Sequence, residues 1–160
     1  MKRIENIIEN QLWKEAIADI VEDEKTRIFC GHGIEHLLDV ARIAYIENIE
    51  KEKGFDKEII YAAALVHDIG RSPLYSNGLP HEEAGVAIAG RILNQAGFSD
   101  EESFLVAEAI LAHRNPETRN DAGLSGLIYR ADKKSRLCLF CDARAECNWS
   151  REKMNMKIDI

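Results

Sequence analysis

Ile59-Ile60-Tyr61-Ala62-Ala63-Ala64-Leu65-Val66-His67-Asp68-Ile69-Gly70-Arg71 is an apolar run that finishes on an imidazole beside a carboxylate. A run of this character predicts a buried helix, and a buried helix end is a poor place for two ionisable groups. Neither is stable in an apolar interior without a partner, and a divalent metal ion satisfies both at once. The same residue types recur on either side. His36 lies 31 residues before His67, His81 and His113 lie 14 and 46 residues after it, and Asp132 follows in Tyr129-Arg130-Ala131-Asp132-Lys133. Alone, a histidine such as His81 or His113 at a helix end is more often a cap or a solvated residue than a ligand. The set, taken together, points to metal.

Periodicity predicts helix after helix. Ile4, Ile7, Ile8, Leu12, Trp13, Ala16, Ile17, Ile20 and Val21 repeat at i, i+3, i+4 spacing, as one amphipathic helix of about five turns would require. A second begins after Gly33, with Ile34, Leu37, Leu38, Ala41, Ala44 and Tyr45 on its inner face, and stops at Gly54. The third carries Ile59 to His67 and ends at Gly70, a residue suited to a left-handed C-terminal position. The turn-rich stretch from Arg71 to Pro80 is expected to lie over the site. Further helices run from His81 to Gln95, from Asp100 to His113 with Ser99 or Asp100 as N-cap, and from Leu124 to Leu137. With no period-2 strand of useful length, the fold class is all-α, a single helical bundle of about six main helices. Residues 1–160 form one domain, with residues 1–30 packing on it and a cysteine-rich segment at 138–150.

At 160 residues the chain can bury a full core without disulfides or a partner. A net charge of -7 argues against binding a nucleic acid polymer. Met1-Lys2-Arg3 is followed at once by Glu5, Glu9 and Asn10, which predicts no secretory leader, and no apolar run is long enough for a membrane span. The expected location is the cytoplasm, and the oligomeric state is left open.

The stretch "AAALVHDIGR", with His36, His81, His113 and Asp132 in order around it, resembles the HD superfamily of metal-dependent phosphohydrolases from about Gly31 to Arg136. The family's first histidine is often followed three residues on by an arginine; here that position holds Asp39, with Arg42 one turn further. The resemblance implies that His36, His67, Asp68 and Asp132 hold one metal, with Asp68 bridging to a second held by His81 and His113. Mixed imidazole and carboxylate ligation suits Fe, Mn, Zn, Ni or Co, as one or two ions. Water held by such ions loses a proton near neutral pH and attacks phosphorus. The implied activity is hydrolysis of a phosphate ester or anhydride of a small molecule, a nucleotide by family tendency. Two other classes stay open: a diiron HD-type oxygenase, and a non-catalytic sensor of metal or nucleotide.

Cations beside the ligands fit a phosphate substrate. Arg71 follows the His-Asp pair, Arg114 follows His113, and Lys133, Lys134 and Arg136 follow Asp132. Arg71 and Lys133 are the candidates for a catalytic role beside Asp68, and Arg71, Arg114 and Lys133 for substrate binding; the two lysines read equally as solvated residues. His32, one turn before His36, suits a ligand, a phosphate contact or a structural place at the helix start. Outside this set, Cys138-Leu139-Phe140-Cys141 and Cys147 give C-x2-C-x5-C, and Cys30 is the remaining cysteine. Four thiols in a cytosolic chain suggest a metal cage more than disulfides, with structural zinc the simplest occupant and a four-iron cluster the next. Packed or free thiols are the other reading.

Overall fold

The computed structural model describes residues 1–72, 78 and 80–158, and every regular element among them is helical. In chain order these are α1 (Lys2–Glu9), α2 (Gln11–Asp23), α3 (Ile34–Glu50), α4 (Lys57–Val66), α5 (His81–Ala96), α6 (Asp100–Ala112) and α7 (Leu124–Lys134). Short 3-10 turns follow at Pro116–Asn120, Cys138–Phe140 and Asp142–Ala145. No described helix is long and apolar enough to cross a membrane.

Helix α4 is the centre of the core. From Ile59 to Val66 every residue except Tyr61 is buried, so the helix is apolar almost all round. Its three alanines leave room for close neighbours. Helices α3 and α6 pack directly against it, and α7 crosses both of them. Leu37, Val40, Ala41 and Ala44 of α3, Val106 and Ile110 of α6, and Leu127 and Ile128 of α7 are all buried in one apolar cluster with it.

The first helix differs from expectation. Instead of one five-turn helix from Ile4 to Val21, the chain breaks at Asn10, whose backbone is extended (φ -63°, ψ 128°). Its side-chain oxygen accepts from the backbone N–H groups of Leu12 and Trp13 at 2.9 and 3.4 Å. Asparagine offers the backbone a local alternative to the helix ladder, and here that alternative starts α2. The apolar period runs unbroken through the kink, which is why spacing alone conceals it.

Two glycine positions differ in instructive ways. Gly97 ends α5 in the left-handed region (φ 91°), and Phe98 donates its N–H back to Leu93. Gly70 is not left-handed. A Cβ there would lie 2.0 Å from the His81 carbonyl oxygen and 2.4 Å from the Gly85 nitrogen, so glycine is needed for close approach of α5. Helix α7 stops at Lys134 rather than Leu137, because the Asn155 side chain donates to the carbonyls of Lys133 and Arg136 at 2.5 and 2.9 Å. Most of the stretch expected over the site, 73–77 and 79, lies outside the described residues.

Candidate metal centre

Helix ends bring the candidate ligands together. His36 lies in the first turn of α3, His67 is the C-cap of α4 with Asp68 after it, His81 opens α5, His113 is the C-cap of α6, and Asp132 lies in the last turns of α7. All six are buried. One atom each of His36, His67 and Asp132 falls within 4.8 Å of the others, and the same holds for Asp68, His81 and His113.

Asp68 joins the two groups. Its Oδ2 lies 3.2 Å from His67 Nε2 and 3.5 Å from His36 Nε2, while Oδ1 lies 3.3 Å from His81 Nε2 and 3.5 Å from His113 Nε2. Asp132 Oδ1 lies 3.4 Å from His36 Nε2 and 4.0 Å from His67 Nε2.

The outer nitrogens fix which inner nitrogens carry lone pairs. His67 Nδ1 donates to the Ala64 carbonyl at 2.7 Å, and His113 Nδ1 donates to the Ile110 carbonyl at 2.5 Å. Each histidine thereby caps the helix it ends and leaves Nε2 unprotonated in the neutral ring. Ser135 gives its hydroxyl hydrogen to the Asp132 carbonyl at 2.8 Å, so it accepts from His36 Nδ1 at 3.1 Å. Three rings therefore turn a lone pair inward, an orientation that metal-ligating histidines commonly receive from such outer hydrogen bonds.

A divalent ion fits this donor set. His67 Nε2 is buried with no hydrogen-bond donor or acceptor suitably placed for it, the Asp68 oxygens face four imidazole nitrogens that each turn toward them rather than donate, and His81 Nε2 faces His113 Nε2 at 3.2 Å. Buried polar atoms are rarely left so. Two groups of imidazole and carboxylate donors sharing one carboxylate can hold one or two transition-metal ions.

Charge in the site is set by burial against neighbours. Burial works to raise the Asp68 carboxyl, yet His67 and Arg71 outweigh it and hold the group well below the usual carboxylate range. Asp132 follows the same pattern, with Lys133, His67 and Arg136 outweighing burial. Burial lowers His36 and His81 despite the pull of Asp68. At His67 burial acts downward too, but Asp68 and Asp132 overcome it and raise the imidazole. The site thus presents carboxylates that stay ionised at neutral pH.

The expected cations take different places. Arg71 Nε lies 2.8 Å from Asp68 Oδ1, and Lys133 Nζ lies 2.5 Å from Asp132 Oδ2 and 5.1 Å from the Tyr129 ring centroid. Both line a cavity of about 580 Å³ that opens onto His113 and Asp132, and exposed Arg114 lines it as well. Lys134 lines a separate, smaller groove. Arg42 stays outside the site, paired with Asp39 at 3.6 Å on the surface. His32 is buried and lines the cavity, but its Nδ1 and backbone N–H are held by the Glu24 carboxylate. Burial outweighs that bond and pushes the imidazole down to about 4, so His32 is neutral at pH 7.

Sequence reasoning missed Glu24 and Ser135. Ser135 sits three residues after Asp132, a helical neighbour whose role appears only once His36 is packed beside it. Arg136, read as one of several cations, is buried. Its guanidinium donates to Asp132 Oδ1 at 3.1 Å, the Gly31 carbonyl at 3.0 Å and His36 Nε2 at 3.2 Å.

The chain is similar to known proteins over most of its length. The HD domain family model matches residues 33–140. An uncharacterized protein of Clostridium beijerinckii is 49% identical over 135 residues, covering 84% of each chain. A crystal structure of a predicted HD superfamily hydrolase from an uncultured Thermotogales bacterium is 26% identical; the match has a TM-score of 0.61 and covers 89% of this chain and 81% of that one.

Proposed function

The chain belongs to the HD-domain family, and from that premise we propose that it is a metal-dependent phosphohydrolase acting on a phosphate ester or anhydride of a small molecule, a nucleotide by preference. The observation that carries the reading is the Asp68 carboxylate, which offers one oxygen to each of two ligand groups. His36, His67, Asp68 and Asp132 would hold one ion, and Asp68, His81 and His113 a second. Such ions supply a water that loses its proton near neutral pH and positive charge for the phosphoryl oxygens.

The chain's own residues do the rest. Arg71 and Lys133 flank Asp68 and Asp132 on the cavity wall and add fixed positive charge where phosphate negative charge develops. Arg114, exposed on the same wall, suits the more distant phosphate or the leaving group. His32, neutral and held at Nδ1 by Glu24, is left with Nε2 for a polar contact. The size of the cavity suits one small molecule. Phe29, Tyr129 and Trp149 also line it, and aromatic faces of this kind stack on a nucleobase. The net charge of -7 disfavours a polymer of phosphates while leaving this local basic wall intact.

The test is phosphate release from a panel of nucleoside mono-, di- and triphosphates and sugar phosphates, using protein loaded separately with Mn, Fe, Co, Ni and Zn. Metal-dependent release that disappears in Asp68→Asn supports the reading. Loaded protein that releases no phosphate but consumes oxygen would move it to the oxygenase class, and tight nucleotide binding without turnover would make it a sensor.

A further inference from the structure

The four cysteines stand outside the histidine and aspartate groups, yet they come to one place. Cys30, Cys138, Cys141 and Cys147 all line the 580 Å³ cavity, although Cys30 lies 108 residues before Cys138. All four are free thiols. Two irregular segments carry them, one between α2 and α3 and the other beyond α7.

Neither segment is held by an apolar core. From Leu137 to Ile158 only Cys138 and Ala143 are buried, and from Lys25 to Gly33 only His32 is. Leu137, Phe140 and Ile158 are 65%, 70% and 81% exposed. Ordering each residue costs about 1–2 kcal/mol of backbone entropy, and so little burial does not offset it. Small, core-poor segments of this kind are commonly fixed by metal or disulfide staples. Hydrogen bonds contribute at a few points, from Arg136 to the Gly31 carbonyl, from Arg27 to the Cys30 carbonyl and from Asn155 to the end of α7. None of these needs a thiol at the four positions.

Sulfur spacing disfavours a single ion. Tetrahedral zinc with Zn–S bonds of about 2.3 Å sets its sulfurs about 3.8 Å apart. Among the described residues, no three of these sulfurs lie within 4.8 Å of one another, whereas the two histidine and aspartate groups do. A four-iron, four-sulfide cube carries each thiolate on a separate corner and holds its ligands wider apart than a single ion. We propose that Cys30, Cys138, Cys141 and Cys147 ligate a [4Fe–4S] cluster that fastens the C-terminal segment to the stretch before α3 and forms one wall of the substrate cavity. Each thiol binds as the thiolate and releases its proton. Burial, reinforced by Cys141 and Cys138, works against charge on the Cys30 thiol, while Arg136 favours it. Arg27, Arg144 and Lys153 line the same cavity and offset the negative charge of a four-thiolate cluster.

This site does not depend on the phosphohydrolase reading. Acid-labile sulfide separates the two, since iron on histidines and aspartates brings none. The full chain is purified without oxygen, reconstituted with iron and sulfide, and assayed for both per chain, with electron paramagnetic resonance after reduction by dithionite. The expected result is about four sulfides and at least four irons per chain, with sulfide falling to near zero in Cys141→Ser and unchanged in Asp68→Asn. Wild-type protein that takes up no sulfide, or that holds a zinc lost only in the cysteine variant, overturns the proposal. If Cys141→Ser does not fold, the sulfide content and resonance signal of the wild type decide alone.

Discussion

The indole N–H of Trp13 donates to the Leu65 carbonyl at 2.9 Å, fully inside the protein. Leu65 lies two residues before His67, so a residue of the second helix satisfies the last turn of the helix that delivers the His-Asp pair. Trp13→Phe keeps most of the apolar volume and leaves that carbonyl unpaired, at a cost of about 1–3 kcal/mol. Urea unfolding should show the loss, and metal affinity should fall with it because the helix end frays. An unchanged urea midpoint would mean that water replaces the indole.

Gly70→Ala is expected to act on the metal group of α5 more than on the fold as a whole. The added Cβ meets backbone atoms of His81 and Gly85, which do not swing aside as a flexible side chain would. Helix α5 must retreat, carrying His81 away from Asp68 Oδ1. Overpacking of this kind costs about 1–3 kcal/mol. Metal content per chain beside a melting curve checks it: the second ion should be lost or weakened at temperatures where the helical circular dichroism is intact.

Much of the fold and of the candidate site is legible in the sequence, and the parts that are not share a cause. Candidate ligands at helix ends are visible in sequence because an apolar run that stops on His67-Asp68 calls for a partner for both groups. The order of His36, His81, His113 and Asp132 then supplies a family pattern. Asn10, Gly70 and Ser135 were misread or missed because their work is done across the fold. Asn10 sits inside an unbroken apolar period, Gly70 answers to a helix that begins at residue 81, and Ser135 acts on a histidine 99 positions earlier. Local propensity carries no record of such partners. The alanines of α4 signal close packing, but nothing in their spacing says that α3 and α6 are the neighbours.

Asp68 and His113 should differ in what they cost the metal centre. Asp68 is shared by both groups, so Asp68→Asn removes the bridging charge and should release both ions. His113→Ala strips a donor from one group alone. Elemental analysis should give about two ions per chain in the wild type at full loading, near zero in Asp68→Asn and about one in His113→Ala. The protein should remain folded in both, since α4 and α6 keep their apolar faces. Equal loss in the two variants would mean a single site in which the groups are not separable.

Arg3 gives a pH-dependent contribution well away from the metal centre. Its Nε lies 2.7 Å from Glu58 and its Nη1 2.7 Å from Glu102, joining α1 to the starts of α4 and α6. The guanidinium is the leading cause that lowers both carboxyls below their ordinary value near 4.5. A carboxylate lowered on folding contributes stability that is fully present above its unfolded value and is lost as pH falls through the folded one. The partly exposed network should be worth about 1 kcal/mol at neutral pH. Arg3→Ala should therefore destabilise most above pH 5, and its difference from the wild type should narrow as pH drops below 4. It should not vanish, because Arg3 also lies 4.2 Å over the Phe98 ring, a contact that acid leaves in place. Urea midpoints of both proteins from pH 3 to pH 7 would test this, and a difference that stayed flat across that range would assign the whole effect to the ring contact.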